Sequence, residues 1–129
     1  MHWDTVKPFG FFLIILVLIT YGSLGEGDTK NFELFHFEHS DKLIHAIMYF
    51  SLTISLAYGM VKKTGVFKNW MVYLVVTAVP LSYGIFMEIL QYLITATRHG
   101  EWADFAANLI GIGLAFFLSL VYYNLKKAL

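Results

Sequence analysis

Four stretches of this chain are too long and too uniformly apolar to be buried in a soluble fold of its size. They run from about Phe9 to Leu24, Leu43 to Met60, Trp70 to Ile94 and Phe105 to Tyr123. A helix needs about 20 mostly apolar residues to cross the hydrocarbon of a bilayer. The chain has 129 residues, of which 58% are hydrophobic and only 14% charged, whereas soluble domains run near 25% charged. The apolar runs do not alternate, which excludes half-buried strands, and they are too long for a membrane barrel. The expected fold is an all-α membrane protein, a four-transmembrane-helix bundle forming one domain over residues 1–129.

Charge and cysteine content remove several function classes. Net charge is zero, and no basic stripe offers a nucleic-acid surface. Cysteine is absent, so a disulfide framework, a zinc–thiolate site and a cysteine nucleophile are all excluded. The first apolar run follows Lys7 as a signal peptide would follow its basic start. Asp4 interrupts that basic region, however, and no A-x-A-like cleavage site follows, so the run reads as a retained helix. Lys7, Lys62, Lys63, Lys68, Lys126 and Lys127 fall on one side of a four-helix topology, and Lys30, Lys42 and Arg98 on the other. Six against three predicts that both termini are cytoplasmic. The acidic loops, including the long outer connection at 25–40, then lie outside.

Polar residues gather at the outer ends of helices two, three and four. Asp41 and His45 are four apart and share a helical face, which Tyr49 continues. Glu88 and Gln91 are three apart, Asp104 and Asn108 four apart, and Arg98 lies in the short loop before them. At about 1.5 Å of rise per residue, Asp41, Arg98 and Asp104 fall at the rim, His45, Gln91 and Asn108 one turn in, and Glu88 and Tyr49 two turns in. Scattered surface residues have no reason to match in depth. Glu88 is the sharpest signal, because a carboxylate at a helix centre costs about 2.5–3.5 kcal/mol on insertion scales and normally faces the bundle interior. These spacings point to His45 and Glu88 as proton-handling groups with Asp41 orienting the imidazole. Lys42, Tyr49, Gln91, Arg98, Asp104 and Asn108 are the ligand-binding candidates. The plainer alternative is an interhelical clamp, with Gln91 and Asn108 as polar glue and Asp104 suited to a helix N-terminus.

His36, His39 and His45, with Glu33, Glu38 and Asp41, offer metal-type ligands within thirteen residues. No HEXXH motif organises them, so neither a metal nor another cofactor is expected. Ala107, Gly111 and Ala115 repeat every four residues on helix four, and Ser51, Ser55 and Gly59 do so on helix two. Such stripes let helix backbones approach closely. Pro80 is expected to kink helix three, because it removes a backbone hydrogen bond.

This ordered set resembles the VanZ-like family of bacterial membrane proteins. The matching residues are the GSL at Gly22–Leu24, then Asp41, Lys42, His45 and Tyr49, then Glu88 and Gln91, and finally Arg98, Asp104, Asn108 and Gly111. Members often carry a proline after GSL and another just before the arginine, where this chain has Gly-Glu and Thr-Ala-Thr. The resemblance implies a multi-pass protein of the bacterial cell (inner or plasma) membrane. The namesake is linked to resistance to the glycopeptide teicoplanin, a property that does not transfer on resemblance alone. The expected function is an outward-facing intramembrane site that binds or modifies an envelope lipid, a cell-wall component or a glycopeptide-related ligand. Its partners would be the lipid bilayer and an anionic lipid or cell-wall precursor headgroup engaged by Arg98 and Lys42, since a guanidinium suits phosphate or carboxylate. The alternatives are a structural protein with a purely architectural polar cluster and a small proton-coupled transport element.

Overall fold

The computed structural model describes residues 3–25, 39–95 and 101–129, and every long element among them is a helix. Four helices are long and apolar enough to cross a membrane: α1 (Trp3–Leu24), α2 (Ser40–Thr64), α3 (Trp70–Ile94) and α4 (Trp102–Ala128). The outer connection expected over 25–40 lies outside the described residues except at its ends, as does Arg98. The third helix has the expected bounds. The others run past their apolar stretches by a few residues, because backbone hydrogen bonding continues where polar side chains such as Ser40, Asp41, Lys62 and Lys126 can reach water.

Local chemistry explains the ends. α1 begins with an α-helical turn, Trp3–Val6, and tightens into a 3₁₀ turn at Lys7–Phe9, with Pro8 inside it. Gly65 stops α2 in the left-handed conformation (φ 76°), its N–H donating to Val61 O at 2.8 Å. Only glycine enters that region without penalty. Four residues later the Asn69 side chain caps α3 by accepting from Met71 N–H at 2.9 Å. α3 remains helical through Pro80, whose ring is buried. Asp104 lies in the first turn of α4, where a carboxylate complements the helix dipole.

Successive helices run in opposite directions, so α2 and α4 are parallel, and they make the most extensive contact in the bundle. The small-residue stripe explains why. Ala107, Gly111 and Ala115 are all buried. A Cβ at Gly111 would collide with Ala46 O and lie 3.0 Å from Phe50 N, so the two backbones meet where a side chain would hold them apart. On α2, Ser55 and Gly59 are buried and Ser51 is half-buried. α1 is peripheral, exposing Phe11, Ile14, Val17, Leu18 and Tyr21. Exposed apolar faces of this kind suit lipid as the surrounding solvent.

Exposed aromatics mark two levels. Trp3 and Trp70 stand at the end that carries Lys7, Lys62, Lys63 and Lys126, and Tyr92 and Trp102 at the opposite end. Helical rise puts roughly 33 Å between Trp70 and Tyr92, close to the ~30 Å of bilayer hydrocarbon. Aromatic girdles sit at that spacing in membrane proteins.

Candidate functional site

The site lies at the Trp102 end, where the first turns of α2 and α4 meet the last turns of α3. Its outer layer is built on Lys42. The ammonium donates to Glu101 Oε2 at 2.7 Å, to Asp41 Oδ2 at 3.2 Å and to Asp104 Oδ1. Asp104 is buried, whereas Asp41 and Glu101 are exposed. The long lysine stem explains the geometry: its charge reaches across to α4 while its carbons cover the helix seam. An ammonium has three donors, and three carboxylates occupy them.

One turn deeper, His45 and Asn108 pair across the same seam. His45 Nδ1 donates to Asn108 Oδ1 at 3.0 Å, since the amide oxygen can only accept. This bond orients the imidazole between two carboxylates. Glu88 Oε1 of α3 is 3.9 Å from Nδ1, and Asp104 Oδ2 is 3.9 Å from Nε2. Asp41, which shares a helical face with His45, does not come within 4.0 Å of the ring; among the described residues, Asp104 and Glu88 are the carboxylates that do. The imidazole therefore sits between the α3 carboxyl and the Lys42 network, with its one hydrogen bond among the described residues made to Asn108.

Glu88 is unusual within this group. Its side chain is 15% exposed and lies beside the Asn108 amide. Glu88 Oε2 and Asn108 Nδ2 are both sealed from solvent, and neither has a hydrogen-bond partner. Asn108 is 1% exposed. Unpaired buried polar atoms are rare and cost about 1–3 kcal/mol each. Thr53 Oγ1, two turns beyond His45 on the same face of α2, is a third such atom. Tyr49 lies between them, fully buried beside Tyr83 with ring centroids 6.2 Å apart.

Not every candidate joins the cluster. Gln91 is buried, but its Nε2 donates to Ser23 O of α1 at 3.0 Å. The expectation that it would converge with His45 and Asn108 gives way to a different role, a tie between α3 and α1. Three residues on a helix are about 60° short of a full turn, so Glu88 and Gln91 can serve different neighbours. Of the histidine-rich metal option, Glu33, His36 and Glu38 lie outside the described residues, and His39 is exposed ahead of α2. Asp41, His45 and Asp104 do bring one ligand atom each to within 4.8 Å of one another. The Lys42 ammonium binds both of those carboxylates, which supplies the positive charge a cation would bring.

Sequence reasoning missed Glu101, which completes the Lys42 network, and a groove on the lipid side of the cluster. The groove holds about 440 Å³ between α3 and α4 and is lined chiefly by Ile85, Glu88, Ile89, Leu93, Trp102 and Phe105. Glu88 is the point where its apolar wall meets the polar interior. No one-dimensional pattern marks it, because its two walls lie on separate helices. Compared with known proteins, the chain matches no family model, no curated protein and no solved structure.

Proposed function

We propose that this chain binds or modifies an envelope lipid or a lipid-linked cell-wall component at the polar end of α2, α3 and α4, as its resemblance to VanZ-like proteins implies. The observation that carries the reading is Glu88. A carboxylate within a span costs about 2.5–3.5 kcal/mol, and here one oxygen stays unpartnered although a lysine and a histidine stand nearby. Lys42 is occupied by other carboxylates, and the His45 nitrogen at 3.9 Å is beyond hydrogen-bonding reach. An ionisable group kept inside the membrane under those terms serves a ligand or a proton better than it serves stability. In this reading Glu88 and His45 handle a proton or a substrate hydroxyl, Asn108 orients the imidazole, and Arg98 meets the headgroup at the rim. The lysine bias supports cytoplasmic termini and a site that opens outward, and the family resemblance supports a bacterial cell membrane.

Two features favour an architectural role for part of the cluster. The Lys42 network and the Gln91–Ser23 bond join helices with their partners satisfied. A transport role has less support. Between the cluster and the lysine-rich end the interior is filled by Leu52, Leu56, Val72 and Val76, which leaves the polar face of α2 without a continuous route.

The test is Glu88→Gln with two readouts from the same membranes, thermal stability and complementation of a deletion phenotype. Glutamine keeps the shape and removes a costly charge, so stability stays equal or rises while complementation is lost. Full complementation at normal abundance would leave only the architectural reading.

A further inference from the structure

We infer that the groove between α3 and α4 takes the hydrocarbon chain of an uncharged, hydroxyl-bearing membrane amphiphile and presents its hydroxyl to Glu88. The inference rests on the reading above and narrows it to a ligand class. The groove faces the bilayer, and its walls are Ile85, Ile89, Leu93, Trp102 and Phe105. From Ile85 to Leu93 it follows α3 for about 12 Å of helical rise. Its volume of about 440 Å³ falls within the usual range of small-molecule sites. Hydrocarbon is the solvent on that face, so an acyl or prenyl chain is the occupant that needs no desolvation.

Charge selects the head of that chain. Glu88 interrupts the apolar wall, with Glu101 further along it. Asp104 and Asp41 lie just behind, and the one lysine among them already binds Glu101, Asp104 and Asp41. A phosphate in the groove would add negative charge beside four carboxylates, and Lys42, the lysine beside them among the described residues, is already engaged. A hydroxyl adds none. Its O–H donates to the Glu88 carboxyl, which is 15% exposed and of which one oxygen, Oε2, is closed off without a partner. An alcohol held on Glu88 also lies beside His45, 3.9 Å from Glu88 Oε1.

The experiment uses the full chain in nanodiscs of neutral phospholipid, with two photoactivatable probes of equal chain length carrying a diazirine in the tail. One ends in a primary hydroxyl and the other in a phosphate. Cross-links are mapped by mass spectrometry, with the lipid face of α1 around Val17 and Tyr21 as the internal background. The alcohol probe is expected to concentrate on Ile85–Leu93 and on Trp102–Phe105, and to be displaced by excess unlabelled alcohol. Glu88→Gln should lower that labelling about tenfold, as loss of a hydrogen bond to a charged group does. Ile89→Trp, at a lipid-exposed position, should block it by filling the groove while leaving the cluster and the melting temperature unchanged. Equal or stronger labelling by the phosphate probe would overturn the hydroxyl assignment while leaving a lipid site in place. Labelling no higher than on α1 for both probes would overturn the groove and the lipid reading together.

Discussion

The two ends of this bundle both carry charge, and they use it in opposite ways. At the Trp70 end, Lys62, Lys63 and Lys126 are exposed, and Lys7 pairs only with the equally exposed Asp4 at 3.0 Å. Two of these lysines lean over aromatic rings, Lys62 on Tyr58 at 5.6 Å and Lys63 on Phe9 at 5.9 Å. The interior behind them is hydrocarbon and aromatic, with Phe67 stacked on Tyr123 at 5.2 Å and edge-on to Tyr73 at 5.4 Å. At the Trp102 end the charge is turned inward: Asp104 and His45 are buried and Glu88 nearly so. Outward charge orients a span and anchors it at the headgroups. Inward charge must be held by partners, and where a partner is missing it marks a place for one.

The comparison can be broken at its root by topology. The chain lacks cysteine, so single cysteines at Asp28 and at Lys127 report cleanly on an impermeant thiol reagent in intact cells. The outward-facing reading predicts an all-or-none result, with labelling at position 28 and none at 127. The reverse pattern would turn the inward-charged end towards the cytoplasm.

A smaller effect sharpens the contrast energetically. Lys42→Met keeps the stem and removes the charge, leaving buried Asp104 without its ion partner. Breaking a buried pair costs about 3–5 kcal/mol, and the partial exposure of Lys42, 25%, should reduce that to about 2 kcal/mol. Adding Asp104→Asn should recover part of the loss in a denaturation series. The smallest effect belongs to the other end. Lys7→Gln removes an exposed pair of the same chemistry and should change stability by less than about 0.5 kcal/mol. If the two lysine variants proved equally costly, the distinction between outward and inward charge would fail.

Much of this arrangement was legible in the sequence because helices convert spacing into depth. Rise sets His45 level with Asn108 and Glu88 within a turn of both, and the Ala107–Gly111–Ala115 spacing marks the seam where Gly111 meets Ala46. What escaped depends on angle and reach. Gln91 was assigned the right depth but the wrong neighbour, since depth does not say which way a side chain faces. Lys42 was assigned to an external headgroup because a lysine stem is long enough to choose among targets, and only the fold shows Asp104 and Glu101 within range. The groove needed two helices side by side, which no single run of residues encodes.

The order in which the ribosome delivers these helices gives the Lys42 network a role in time. α1 emerges first and carries no charged side chain between Pro8 and Leu24, so it can rest in lipid by itself. α2 follows with Asp41, Lys42 and His45 at one end, but Asp104 is encoded 62 residues after Lys42. At about 5–20 residues per second that is a wait of roughly 3–12 s. During it Lys42 is without the two α4 carboxylates, Glu101 and Asp104, that it binds in the finished bundle. Arrival of α4 supplies Glu101, Asp104 and Asn108 together and closes the seam in one step. A chain truncated before Glu101 would therefore own three competent spans and still leave Lys42 and His45 without the α4 partners that close the seam.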